Sequence, residues 1–200
     1  ELLAEQDGHL VTGFVGTPYF CHALSNNGRA KEAWQLLLKD DFPSWLYQVK
    51  AGATTIWEHW DGIKPDGTMW SPDMNSFNHY AYGAIGEWLY RAVAGIDVDE
   101  AEPAFKHTRI QPVIGGDLEW VNARYRSGYG DIAVNWQVEA SGDQQQHVVL
   151  SVIVPHNTHA TVILPAESHI VDADNIAFTL RDNTCQANIG SGKYRFEYRF

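Results

Sequence analysis

The sequence predicts two structural classes in series: helices up to about residue 104, then an antiparallel β-sandwich from about residue 105 onward. Three observations predict it. Apolar residues recur at helical spacing before Pro103, they alternate with polar residues after it, and turn residues part the alternating runs. Short strands at such regular spacing build a sandwich.

The opening "ELLAEQDG" reads as the end of a helix already under way, and the chain opens at Glu1 rather than Met. Both point to a piece of something larger. In "TPYFCHALSNNG", Thr17 is the candidate N-cap, Pro18 takes the first helical position and Gly28 is the stop. "RAKEAWQLLLKDD" follows after one tight turn, so its helix runs antiparallel to the first. Ala30, Ala33, Trp34, Leu37 and Leu38 mark its apolar face. "SWLYQVKAG" is a short helix capped by Ser44 and stopped by Gly52, and "GIKPDGTMWSPDMNS" is a loop. "FNHYAYGAIGEWLYRAVAGI" is one long helix, with Gly83 and Gly86 admitting a close neighbour. The strands are "HTRIQPV", "LEWVNARYRS", "GDIAVNWQVEA", "QHVVLSVIVP", "HATVILP" and "KYRFEYRF", parted by turns at "SGYGD", "ASGD" and "PHNT". The apolar helical faces want more partners than these helices supply.

Composition narrows the function. With 200 residues, 44% of them hydrophobic and 12% aromatic, the chain has ample material for a packed core. A net charge of −11 argues against nucleic acid and against an anionic membrane surface. Two cysteines, Cys21 and Cys185, imply no disulfide framework, and free thiols favour a reducing, cytoplasmic compartment. No cofactor motif and no nucleophile motif is present.

The stretch that asks for chemistry is "ATTIWEHWDG", residues 53–62, where Glu58 stands between Trp57 and Trp60. A Glu among aromatics is most often an edge residue over a core. Here it lies between helices, where loops carry function, and flanking indoles would desolvate it for proton transfer. The following loop brings Asn75, Asn78 and His79 back toward it. His79 also reads as a plain capping residue in the first turn of a helix. No metal site is expected. "HNTH" pairs His156 with His159 only superficially, in a turn with no third ligand nearby, and "DGIKPDG" lacks the full calcium-loop pattern.

"GHLVTGFVGTPY", "ALSNNGRAKEAWQLLL", "FPSWLYQVKAGATTIWEHWDG", "MNSFNHYAYGAIGEWLYRAVAGI" and "GYGDIAVNW" resemble the C-terminal portion of α-L-rhamnosidases, glycoside hydrolase family 78. The resemblance covers nearly the whole chain and weakens after about residue 165. It implies the C-terminal helices of an (α/α)6 catalytic barrel over residues 1–104 and a jelly-roll β-sandwich over 105–200. It also implies an inverting hydrolase that releases terminal α-L-rhamnose. Glu58 falls on the family's general base, His79 on a rhamnose contact, and Trp60 on a wall of the substrate site. His59 stands where the family commonly has Arg. The family's general acid sits in an upstream block of the "DERxGW" kind, which these residues lack. The chain alone is therefore expected to be inactive, with the rest of the barrel as its partner and a rhamnose-containing glycoside as substrate.

Two further readings compete. The chain could be a carbohydrate-binding module, with Tyr125, Tyr129 and Trp136 as a platform, or a structural buttress. A part of another (α/α)6 glycosidase is the nearest enzymatic alternative.

Overall fold

The structure, a computed structural model, describes residues 2–139 and 145–200. The turn expected at "ASGD", residues 140–143, lies outside the described residues. Two compact units divide the chain, Glu1–Trp88 and Leu89–Phe200.

The first unit holds α1 (Leu2–Glu5), α2 (Thr17–Asn26), α3 (Ala30–Leu38), α4 (Trp45–Lys50), α5 (Tyr80–Gly83) and α6 (Ile85–Trp88). The cap of α2 is Gly16, not Thr17. Thr17 turns its hydroxyl backward to the carbonyls of Thr12 and Gly13, each 3.0 Å away, so it ties down the preceding loop instead. Pro18 does occupy the first turn, where its missing N–H costs nothing. Gly28, at φ +73°, lets the chain reverse into α3.

The buried stripe of α3 is Ala33, Trp34 and Leu36, while Leu38 is 39% exposed. Three consecutive leucines fit either rotation of the helix, so spacing alone placed the face one step off. Trp34 meets Trp88 edge-on at 5.3 Å, and the Trp88 indole N–H donates to Ser25 Oγ. Helix α4 starts as expected, with Ser44 Oγ accepting from Tyr47 N, and Gly52 at φ +88° closes it.

The long helix expected over residues 77–96 is instead broken into α5, α6 and a π-helix, Leu89–Val93. Glycine is a weak helix former, and Gly83 closes α5 just before the break. A Cβ at Gly83 would touch Ile56 at 3.6 Å, whereas Gly86 faces open space. Close packing therefore explains at most one of the two glycines.

Among the described residues the second unit begins with that π-helix and continues as ten strands. They are β1 (Ile96–Val98), β2 (His107–Ile110), β3 (Trp120–Ser127), β4 (Gly130–Glu139), β5 (His147–Val154), β6 (His159–Pro165), β7 (His169–Asp172), β8 (Thr179–Arg181), β9 (Thr184–Ile189) and β10 (Gly192–Arg199). They form two five-stranded sheets, ordered β1-β2-β6-β9-β8 and β3-β4-β5-β10-β7. The expectation of an all-antiparallel arrangement fails at one place: β2 and β6 run parallel, with His107 opposite His159. The long excursion between them returns the chain in the same direction, which a hairpin cannot do.

Strand burial follows the alternation. In β5 the residues Val148, Leu150, Val152 and Val154 are buried, and in β4 Ile132, Val134 and Trp136. Each such side chain contributes ~1.5–3 kcal/mol, and a one-residue slip would expose the whole set, so register is fixed. Strand β6 is buried continuously from Ala160 to Leu164. Four strands escaped the pattern. β1 lies ahead of Pro103, β8 is exposed throughout, four-residue β7 has no buried residue, and β9 turns only Ala187 and Ile189 into the core. At Gly95, φ +75°, a Cβ would stand 2.2 Å from Pro112 N, so only glycine fits.

Candidate active site

The site is built in the first unit around residues 55–59. On one side stands Gln48 of α4, which is 1% exposed. Its side-chain oxygen accepts from Trp57 N at 3.1 Å and its amide donates to His59 O at 3.3 Å. On the other side runs the segment 76–79. Glu58 N donates to Ser76 O at 2.9 Å, and His79 N donates to Ile56 O at 2.8 Å. The Thr55 hydroxyl donates to the Phe77 carbonyl. The chain carrying Glu58 is thus held at both edges, like a strand without a sheet. The β-branched Thr54, Thr55 and Ile56 favour that extended form.

The two tryptophans are walls turned inward. Trp57 is 3% exposed and meets Phe77 edge-on at 5.4 Å. Trp60 is 9% exposed, stacks on Tyr82 at 3.9 Å and meets Trp45 edge-on at 5.3 Å. The Trp45 indole N–H donates to Tyr82 O. Glu58 itself is half-buried. Burial pushes the Tyr82 phenol above its ordinary range, and the Glu58 charge adds to the push. The carboxylate and the phenol therefore share one neighbourhood.

His79 is the N-cap of α5, and its Nδ1 accepts from Ala81 N at 3.3 Å. The capping reading is correct, and it has a chemical consequence. An Nδ1 that accepts must hold a lone pair, so the proton of the ring lies on Nε2, which is left as a donor. The ring stacks with Phe14 at 4.7 Å and lies near-parallel to the Tyr80 ring at 5.5 Å. Its orientation is thus set by a hydrogen bond and by stacking on Phe14.

The flanking residues vary in their roles. His59 lies flat on Trp70 at 3.6 Å. Asn75 donates to Ser71 O and braces the loop, while Asn78 is exposed. Asp66 accepts from Thr68 N and Oγ1, so "DGIKPDG" is a turn that satisfies itself. Burial pushes the Cys21 thiol up to about 12, which leaves it inert.

Sequence reasoning missed Gln48, Tyr82 and Phe14. Gln48 carried a signal, as an amide on the apolar side of a short helix. Tyr82 carried none, since His79 stands outside α5 in extended backbone and helical spacing does not join the two. Phe14 had no signal, since only the fold brings it to His79.

In the second unit, Trp136 is 1% exposed and donates to Val93 O, so it is core and no part of a platform. His159 corrects the other expectation. It is not isolated in a turn but begins β6, and its ring stacks on His107 at 4.4 Å with Glu102 alongside.

Residues 1–93 match the bacterial alpha-L-rhamnosidase 6 hairpin glycosidase domain, and residues 95–174 match the bacterial alpha-L-rhamnosidase C-terminal domain. An alpha-L-rhamnosidase of Streptomyces avermitilis is 40% identical over 197 residues, which cover 98% of this chain and 18% of that protein. One from Formosa agariphila is 37% identical over 180 residues, covering 90% of this chain and 19% of its own length. The crystal structure of the Streptomyces avermitilis enzyme complexed with L-rhamnose superposes with a TM-score of 0.87 at 38% identity, covering 98% of this chain and 19% of that one. That of the Aspergillus terreus enzyme gives 0.83 at 32% identity, covering 98% and 20%. The chain thus spans about a fifth of the length of these relatives.

Proposed function

Because the chain belongs to the bacterial α-L-rhamnosidase family, we propose that it is the C-terminal portion of an inverting α-L-rhamnosidase. Its first unit would complete an (α/α)6 catalytic barrel, and its two sheets would form the jelly-roll sandwich that follows. The parent hydrolyses terminal α-L-rhamnose from glycosides or polysaccharides.

Glu58 is the general base. It takes a proton from the water that attacks the anomeric carbon, while a carboxylic acid elsewhere in the parent protonates the leaving oxygen. His79 donates from Nε2 to a rhamnose hydroxyl and so orients the ring. Trp60, stacked on Tyr82, backs the wall behind Glu58 and keeps bulk water from competing. By itself the chain lacks the acid and does not hydrolyse. The observation that carries this reading is the pair of bonds that join the two segments, Glu58 N to Ser76 O and His79 N to Ile56 O. They hold the stretches that carry Glu58 and His79 side by side, which supports giving the two residues a shared task.

The test is made on the parent enzyme. Glu58→Gln keeps the shape but cannot accept the proton, and kcat should fall ~10²–10⁴-fold with little change in KM. His79→Ala should raise KM as well as lower kcat. NMR of the fresh product should show the β-anomer of rhamnose first. Near-normal turnover of Glu58→Gln, or product of retained configuration, would remove Glu58 from this role.

A further inference from the structure

A group of side chains in the second unit has no part in that chemistry. The loop between β1 and β2 and the parallel pair β2–β6 bring Glu102, His107 and His159 together. One ligand atom from each lies within 4.8 Å of the others. We propose that these three residues form a zinc-binding site, with Asp99 as the positioning residue for His107.

Register makes the pair. His107 and His159 are directly opposite one another in the parallel ladder, so their side chains leave the same face of the sheet. Their rings stack with 26° between planes. Glu102 Oε1 stands 3.2 Å from His159 Nε2. Two ligands of a tetrahedral zinc, each about 2.0–2.1 Å from the metal, lie about 3.4 Å apart, so this pair already has the needed spacing.

The surroundings favour a cation. Asp99 Oδ2 is 2.9 Å from His107 Nδ1. A carboxylate on one imidazole nitrogen is the arrangement that orients a metal-ligating histidine, and it leaves Nε2 to face the ion. His107 Nε2 now meets Thr161 Oγ1 at 2.8 Å, and that hydroxyl donates onward to Asn188. Thr161 can therefore release His107 and keep a partner. Lys106 is turned away, its ammonium on the Asn157 carbonyl and over the Tyr129 ring. Arg109 follows His107 on the same face of β2, and its guanidinium donates to Gln111 Oε1 at 3.1 Å. The side chains of His159 and Glu102 are 42% and 46% exposed, so an ion can enter without opening the core.

The donor set selects the metal. Two imidazoles and one carboxylate suit zinc, whereas calcium and magnesium prefer all-oxygen shells. Three protein ligands leave a fourth position for water.

The experiment is calorimetric titration of the full chain with zinc chloride, repeated with calcium chloride. The expected result is one zinc per chain, a raised thermal midpoint in zinc and no response to calcium. His159→Gln, His107→Gln and Glu102→Gln should each weaken binding strongly. Asp99→Asn should weaken it ~10–100-fold while leaving the ligands in place. His156→Gln, outside the cluster, should bind as the parent chain does. Glu102 is exposed, so its variant folds whatever becomes of the histidines, and circular dichroism checks all of them. Zinc binding that survives Glu102→Gln and His159→Gln unchanged would overturn the site. So would absence of one-to-one binding, or calcium binding as tightly as zinc.

Discussion

The two units are held together by different means. In the second, backbone pairs with backbone in long ladders, and apolar side chains enter the core every second residue, as in β5 and its partner β10. In the first, side chains do the joining. Gln48 clamps residues 57–59, Ser44 caps α4, and the indoles of Trp45 and Trp88 bond to Tyr82 O and Ser25. Both units leave apolar groups in the open, among them Val15, Tyr19, Val49 and Tyr80 in the first and Trp120 and Leu180 in the second. The difference teaches where each kind of order is useful. A ladder fixes register but leaves little freedom to aim a single side chain. A loop gripped by one amide and two backbone bonds can present Glu58 in one direction.

If that contrast holds, substitutions should separate chemistry from stability in the first unit but not in the second. The largest effect is expected for Glu58→Gln in the parent enzyme. Its kcat loss of ~10²–10⁴-fold should come with almost no change in thermal midpoint. The Glu58 backbone N–H, not its carboxylate, makes the bond to Ser76. A parallel loss of stability would mean that the carboxylate is a strut.

Next comes Trp136→Ala. This indole is 1% exposed and its N–H is committed to Val93 O. Removing it should cost ~3–5 kcal/mol, read as a shift in denaturant midpoint, because the cavity cannot collapse between paired strands. A cost below ~1 kcal/mol would show that the ladder, not the core, carries the unit.

Gln48→Leu should fall between these two in kind. Two hydrogen bonds vanish and the Trp57 N–H and His59 carbonyl lose their partners, at a cost of ~1–3 kcal/mol. The parent's kcat should drop too, although Gln48 would touch no substrate. Lost stability with full activity would show that the grip of Gln48 does not aim Glu58.

The same contrast explains what was legible in the sequence. Alternation exposed β4, β5 and β10, because a half-buried strand must write its burial into every second residue, while β3 alternates in sequence without a fully buried residue and β6 showed as a continuous apolar run. β8 has no buried residue to betray it, and three-residue β1 is too short to alternate. The parallel β2–β6 pair leaves no local mark, since parallel and antiparallel partners ask for the same side chains. In the helical region, caps and stops were readable at Ser44, Gly28 and Gly52, but not the break near Gly83. The period of a helix survives a small break, so the apolar stripe continues across it. Within the candidate site, Glu58 stood out by type and neighbours, whereas His79 read as a plain cap and was singled out only by the family resemblance. Gln48 and Phe14 did not, because what matters about them is whom they meet across the fold.

The smallest effect belongs to the second unit's surface. Asp131 of β4 accepts a bond from Arg124 of β3, and that bond holds its carboxyl below the ordinary 3.8. The sign follows from the direction. A carboxyl whose folded value is depressed gains stability from its charge at neutral pH. That gain starts to fade as the pH drops through the ordinary value and is gone below the folded one. Asp131→Asn should therefore lower the thermal midpoint slightly at pH 7, and the two proteins should converge in strong acid. Both partners are exposed, Arg124 at 69% and Asp131 at 36%, so salt should erase most of the difference at pH 7 as well. Thermal melts at two pH values and two salt concentrations read all of this. A difference that persists in strong acid, or is untouched by high salt, would mean that Asp131 contributes through packing on the β3–β4 hairpin rather than through its charge.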